Sequence, residues 1–340
     1  MLGNQNNHFT NYTSSLNIES SLNITNYPLR LNGASFDKNN EPQSLNHWLK
    51  LQGTITGNTL LGIESHDISI EWADGVSKTF DPNKSTWIVI HGLQMNLPKG
   101  DILEQLGDIK NLASSVDAFS PDDQVLVLDW RSAAYSPGIN YRGDFNIPNP
   151  VIALSWIDAA AIWTANILKQ FGIATPNINL IGHSFGSYVA SSVAADITGG
   201  INRIIALDPG NLQIGGDKYK QTKFSDNSRW SWAFYGSGFG AQDRARTADE
   251  SFIIDFPFYT QFPDIPGVNK GHGAVEQFFT AMLNQASDKQ YYSDADVFGL
   301  DRMNPIAKPW NIDYTTNWEA KLIPEEINGS WILKDIIPNP

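Results

Sequence analysis

The sequence contains no cysteine. That excludes a disulfide framework and a thiol nucleophile, and it leaves the cellular compartment open. Basic charge is also scarce: 23 Lys and Arg stand against 36 Asp and Glu, a formal net charge of −13 over 340 residues. A nucleic-acid backbone calls for a basic face, so that class of partner is excluded. No apolar run is long enough to span a bilayer, and no transmembrane segment is expected. Met1 to Leu31 is polar and shows no charged stretch followed by an apolar one, so no cleavable leader is expected. The expectation is either export by another route or residence in the cytoplasm. What the chain does have is core: 41% of residues are hydrophobic, enough for one large interior. No pattern sets an oligomeric state.

Residues 1–45 are rich in Asn, Ser and Thr and read as a polar arm, disordered or extended. Residues 46–340 read as a single domain. An edge hairpin is expected at Trp48 to Leu61, with a strand at Ile68 to Trp72. The runs Thr86–Ile90, Gln124–Leu128, Ile178–Ile181 and Ile201–Leu207 are continuously apolar or nearly so, as suits parallel strands buried on both faces. Helices are expected at Ile102 to Val116, from Pro150 to Phe171 and at Ala274 to Ala286. In the long helix Ile152, Trp156, Ala160, Trp163, Ile167 and Phe171 form the expected inner stripe. Weaker strand signals cover Trp230 to Tyr235 and Phe252 to Phe256, and from about residue 287 an irregular wrap is expected. Strand and helix alternate through the middle, so the class is α/β, with a mostly parallel central sheet and helices on both faces.

The chain is organised around Gly182-His183-Ser184-Phe185-Gly186, a G-x-S-x-G pattern between an apolar run and a helix of small residues. In that context it reads as a nucleophile elbow, with Ser184 exposed at a sharp strand-to-helix turn. Gly182 and Gly186 leave room where strand and helix nearly touch. A serine at its free pKa is a poor nucleophile and needs an imidazole within about 2.6–3.2 Å, itself oriented by an acid. There are six histidines. His8, His47 and His66 precede the first core strand; His91 ends that strand and shapes the following loop; His183 adjoins the serine and points elsewhere. His272 remains, in a loop between a strand and a helix, after the serine as this chain order requires. The acid is Asp208 or Asp255. Asp208 closes the strand after the elbow helix and is held by Pro209; Asp255 also lies between the serine and the histidine. Asp129 precedes the serine and reads as an ion pair with Arg131. The oxyanion donors expected are the backbone amides of Phe185 and Leu93, the latter after Gly92.

Taken together, WIVIHG (Trp87–Gly92), VLVLDWR (Val125–Arg131), NLIGHSFGS (Asn179–Ser187), IIALDPG (Ile204–Gly210), IIDFP (Ile253–Pro257) and GHGAVEQFF (Gly271–Phe279) resemble the animal-type neutral lipase family. That family includes pancreatic and lipoprotein lipases, phospholipase A1 relatives and non-enzymatic yolk proteins. The resemblance implies an α/β-hydrolase fold and hydrolysis of lipid esters at a lipid–water interface. It implies Ser184 as nucleophile, Asp208 as acid and His272 as base, with the Leu93 and Phe185 amides at the oxyanion. The departures are the missing cysteines, a segment of only Phe258 to Gly271 for a lid, and no room for a typical C-terminal β-sandwich. Asp217 and Asp226 sit among lysines where the family has its calcium site, a poor oxygen shell for a hard cation. No metal and no organic cofactor are expected. Phe234, Phe239, Phe256, Phe258, Tyr259 and Phe262 are candidates for an acyl-binding surface. Two other readings stand beside this one: an esterase or thioesterase for soluble small acyl substrates, and a non-catalytic lipid-binding or storage protein.

Overall fold

The computed structural model describes residues 30–32, 47–59, 62–94, 98–135, 138–141, 145–148, 150–211, 219, 222–256, 270–287, 318–327 and 330–338. The chain begins with β1 (Arg30–Asn32), β2 (His47–Trp48), β3 (Lys50–Thr59), β4 (Gly62–Trp72) and β5 (Lys78–Thr79). Next come β6 (Thr86–Ile90), α1 (Ile102–Gln105), α2 (Gly107–Phe119), β7 (Gln124–Asp129) and α3 (Arg131–Ala134). A small antiparallel pair, β8 (Gly138–Tyr141) and β9 (Phe145–Pro148), precedes the long α4 (Pro150–Gln170). The second half holds β10 (Ile178–His183), α5 (Gly186–Asp196), β11 (Ile201–Leu207), β12 (Ser228–Tyr235), α6 (Gln242–Ala245) and β13 (Glu250–Ile254). The last elements are α7 (Lys270–Ser287), β14 (Trp318–Ile327) and β15 (Ser330–Pro338).

One large sheet runs in the order β1-β3-β4-β7-β6-β10-β11-β12-β13-β14-β15. From β7 to β14 each neighbour pair is parallel. The edges are antiparallel: β1, β3 and β4 on one side, β15 on the other. This is the α/β-hydrolase architecture. The reason lies in alternation. Ile88, Ile90, Leu126, Leu128, Leu180 and Ile204 face one core with α4 and α5, while Trp87, Val89, Val125, Val127, Ile181 and Ile205 face a second core with α2 and α7. Both faces are dry, so both phases of the period-2 pattern must be apolar.

The long helix starts on Pro150 and ends in a Schellman turn, with Gly172 at φ 68° and the Ile173 N–H on the Leu168 carbonyl at 3.4 Å. Its indoles lie over glycines of β3: a Cβ on Gly53 would stand 2.3 Å from Trp163, and one on Gly57 3.1 Å from Trp156. Ile152 departs from the expected inner stripe. It is 38% exposed, because the buried face runs through Ala153, Trp156, Ile157, Ala160 and Ala161 instead.

Two expectations are corrected. Residues 318–327 and 330–338 are not an irregular wrap but the sheet's last two strands. Their half-buried edge hides the period: Ala320 and Leu322 face inward between the more exposed Glu319, Lys321 and Ile323, and a register shift falls at Ile323/Pro324. His272 is not in a loop, because α7 already begins at Lys270. Gly271 and Gly273, which read as loop, are tolerated within its first turns. The stretch 288–317 lies outside the described residues. Among the described residues no helix is long and apolar enough to cross a membrane.

Candidate active site

Parallel register sets the site. His183 at the end of β10 stands opposite Leu207 at the end of β11, so the next residues, Ser184 and Asp208, leave the sheet side by side. Both carry positive φ, 55° and 45°, and they are the non-glycine residues among those described that do. Left-handed backbone at non-glycine positions is uncommon and costs about 1–3 kcal/mol, so it persists only where its surroundings dictate it. Here they do: the Ser184 N–H donates to the Leu207 carbonyl at 2.9 Å, and the Asp208 N–H to the Phe234 carbonyl at 2.6 Å. A Cβ on Gly182 would lie 2.3 Å from the Gly186 carbonyl oxygen, and one on Gly186 2.3 Å from that of Ile90. The two glycines let α5 sit against β10 and β6 at backbone contact.

Asp208 is fully buried. Its Oδ1 accepts the Gly236 N–H at 3.1 Å, and its Oδ2 accepts the Ser237 hydroxyl and, at 2.5 Å, the Nδ1–H of His272. The carboxyl fills the space a Cβ on Gly240 would need. With Nδ1 donating, the neutral imidazole has its lone pair on Nε2. Asp255 is elsewhere: 48% exposed and 2.6 Å from Lys321 Nζ. Arg244 and Arg246 pair with Asp243 and Glu319. Asp129 forms its two-pronged pair with Arg131, whose guanidinium also donates to the Gly100 carbonyl at 2.9 Å and so fastens the loop before α1.

Gly92 comes against the serine: a Cβ there would lie 2.5 Å from Ser184 Cβ and 3.1 Å from its Oγ. Its peptide is oriented by His91, whose Nδ1–H donates to the Gly92 carbonyl at 2.8 Å while Nε2 accepts the Trp130 N–H at 3.2 Å. Gln94 adds a second donor to that carbonyl at 3.2 Å. In a trans peptide the Leu93 N–H points opposite to it. Among the described residues neither the Leu93 nor the Phe185 N–H donates to a backbone acceptor. Burial pushes His91 down to about 4, so the ring is neutral at pH 7.

Of the phenylalanines expected to receive an acyl chain, Phe234 and Phe256 are core, packed on Phe252 and on Phe278. Phe239 is 38% exposed, with its ring centroid 6.2 Å from that of His272. Phe258, Tyr259, Phe262 and Asp217 lie outside the described residues, as does most of the segment before His272. Sequence reasoning missed Ser237, which the GSGFG run after β12 could have flagged. It also missed Glu276, an acid four residues after His272 on an otherwise apolar helix face with Val275 and Phe279. Glu276 Oε2 lies 3.2 Å from His183 Nδ1.

A family model described as Lipase matches residues 65–226. The pancreatic triacylglycerol lipase of Mus musculus is 26% identical over 134 residues, 39% of this chain and 25% of that protein, so the match spans about a quarter of the relative's length. Among solved structures, a hyperthermophilic esterase from the archaeon Pyrobaculum calidifontis covers 69% of this chain and 84% of its own at 14% identity, with a TM-score of 0.33. An α/β serine hydrolase without a lid from Xanthomonas campestris covers 56% and 75% at 18% identity, with a TM-score of 0.29. These two likenesses are too distant to bear on substrate. Sheet topology, elbow and family match define the chain as an α/β-hydrolase of the lipase/esterase superfamily. Within it, the chain is of the serine-hydrolase type.

Proposed function

We propose that this chain hydrolyses carboxylic esters through an acyl-enzyme, with Ser184 as nucleophile, His272 as base and Asp208 as the orienting acid. The observation that carries the reading is the 2.5 Å contact of His272 Nδ1 with Asp208, buried beside a serine in strained elbow geometry. His272 Nε2 takes the Ser184 proton as Oγ attacks the ester carbonyl, and the Leu93 and Phe185 amides receive the oxyanion. The tetrahedral intermediate collapses, the C–O bond breaks, and the alcohol leaves with the proton held on Nε2. Water then gives a proton to His272, attacks the acyl carbon and frees the acid and Ser184. Asp208 holds Nδ1–H in place throughout. No step calls for a metal or organic cofactor.

Small acyl esters in solution are the substrate class the described residues favour, since Phe234 and Phe256 are spent in the core and only Phe239 faces the site region. Lipid esters are the second reading, favoured by the Lipase family match over residues 65–226. Turnover of p-nitrophenyl esters of rising chain length, below and above micelle formation, separates them. Highest kcat/KM on the butyrate with no rise at the micellar transition fits the first; a jump at the transition fits the second. Loss of several orders of magnitude in a folded Ser184→Ala protein is expected on either. Turnover retained by that variant would remove Ser184 as the nucleophile, and absence of turnover in the wild-type protein would leave the non-catalytic binding reading.

A further inference from the structure

Behind the proposed base lies a buried chain that the mechanism above does not use. His183 precedes the nucleophile, and its Nε2 is 3.1 Å from the main-chain carbonyl of His272. A carbonyl only accepts, so Nε2 carries the hydrogen. The neutral ring then has a lone pair on Nδ1, 3.2 Å from Glu276 Oε2, and the contact is a hydrogen bond only if the carboxyl brings the proton. Glu276 is 3% exposed, and its Oε1 has no partner among the described residues. A buried carboxylate anion would need donors on both oxygens, so the neutral pair is the stable form of this contact.

We propose that Glu276 and His183 are positioning residues: the chain Glu276 O–H to His183 Nδ1, then His183 Nε2–H to the His272 carbonyl, ties the start of α7 to the elbow and fixes the imidazole's approach to Ser184. The proposal rests on His272 being the base. Geometry supports it from two directions. Glu276 lies four residues after His272, one helical turn on, so one side chain reaches back past the other. The rings of His183 and His272 are 4.7 Å apart between centroids, so His183 fills the space into which His272 would otherwise tilt.

Protonation agrees with the direction of the chain. Burial, with a smaller contribution from Asp108 on α2, pushes Glu276 up to about 8; burial, with His272 and His91 nearby, pushes His183 down to about 3. Among the described residues those are the titratable groups that act on the pair, on α7, β10, α2 and just after β6. Above pH 8 the Glu276 carboxyl loses its proton, its oxygen then faces the His183 lone pair, and the link fails.

The test is steady-state hydrolysis of p-nitrophenyl butyrate by Glu276→Gln, Glu276→Leu, His183→Phe and His272→Ala, with thermal melting of each. Glu276→Leu and His183→Phe should lose about 10²-fold in kcat at unchanged KM, the scale of a misplaced catalytic group. The amide of Glu276→Gln can donate to Nδ1, so it should restore kcat and remove the wild-type decline above pH 8. Wild-type kcat in folded Glu276→Leu, or in His183→Phe should the leucine variant not fold, overturns the proposal. So does a glutamine variant as slow as the leucine one. Activity surviving in His272→Ala would instead remove the base assignment and the proposal with it; an inactive His272→Ala beside a fully active Glu276→Leu removes the positioning role alone.

Discussion

Consider Asp208→Asn. The wild-type carboxyl receives three donors: the Gly236 N–H on Oδ1, and the Ser237 hydroxyl and His272 Nδ1–H on Oδ2. An asparagine can keep its oxygen on Gly236, which turns its NH2 toward Ser237 and His272. Ser237 cannot easily answer as an acceptor, because its Oγ already takes the N–H groups of Phe239 at 3.2 Å and Gly240 at 3.1 Å. His272 must accept instead, which places its hydrogen on Nε2, where the serine's proton should go. The tautomer is then wrong and the counter-charge gone. In the serine-protease precedent that combination lowers kcat about 10⁴-fold, or about 5.5 kcal/mol. The frustrated Ser237 hydroxyl should also lower stability by about 1–3 kcal/mol, the range for a buried polar group denied a partner. The assay is kcat on p-nitrophenyl butyrate, with urea unfolding alongside. Asp255→Asn is the control: a half-exposed pair with Lys321 is worth less than about 1 kcal/mol and lies away from His272. If Asp208→Asn kept more than a tenth of the activity while Asp255→Asn lost it, the reasoning from geometry would be refuted.

Gly92→Ala places a Cβ 2.5 Å from Ser184 Cβ and 3.0 Å from the His183 carbonyl oxygen, neither of which can swing aside. The loop must shift, and kcat should fall about 10²-fold with little change in KM; unchanged kcat would show that Leu93 is not an oxyanion donor. His91 and His183 have folded-state values below the ordinary 6.5, at about 4 and about 3, and His66 is lowered too, so these rings disfavour the folded chain as pH drops below 6.5. Glu276, raised from 4.5 to about 8, acts in the opposite sense, as do Glu71, Asp123, Asp196 and Asp249, also raised by burial. Removing the Glu276 proton isolates its share: the urea midpoint of Glu276→Gln should fall more than that of the wild type as pH drops from 8 to 4.5, and parallel curves would contradict a protonated Glu276 in the folded chain. Among the described residues no cluster of three or more His, Asp or Glu could hold a metal, and EDTA should leave activity and melting temperature unchanged. A calcium-reversible drop in melting temperature would point to the segment around Asp217.

The central strands were legible because burial on both faces leaves nothing polar to interrupt Trp87–Ile90 or Ile204–Leu207. The elbow was legible for a related reason: Gly182 and Gly186 are fixed by backbone contacts within a few residues or across one strand. Which aspartate meets His272 was not. It depends on where β13 ends relative to β11, and the sequence offers two strand-end acids with the same chain order. The helical state of His272 was hidden by its flanking glycines, whose low propensity is overridden by the packing of Val275, Phe278 and Phe279. Residues 318–327 and 330–338 were missed because strands at the sheet's margin need only every second residue to be apolar, and in β14 those include Ala320 and Pro324.

The order in which these parts occur along the chain has a consequence for synthesis. Ser184 and Asp208 belong to strands that meet early, whereas His272 is separated from Asp208 by 64 residues and arrives on α7. A chain elongating at about 5–20 residues per second would leave Ser184 and Asp208 without His272 for some seconds. On the proposed mechanism the nascent molecule is therefore unarmed, and a ribosome stalled before residue 270 should hold a chain that an organophosphonate cannot label.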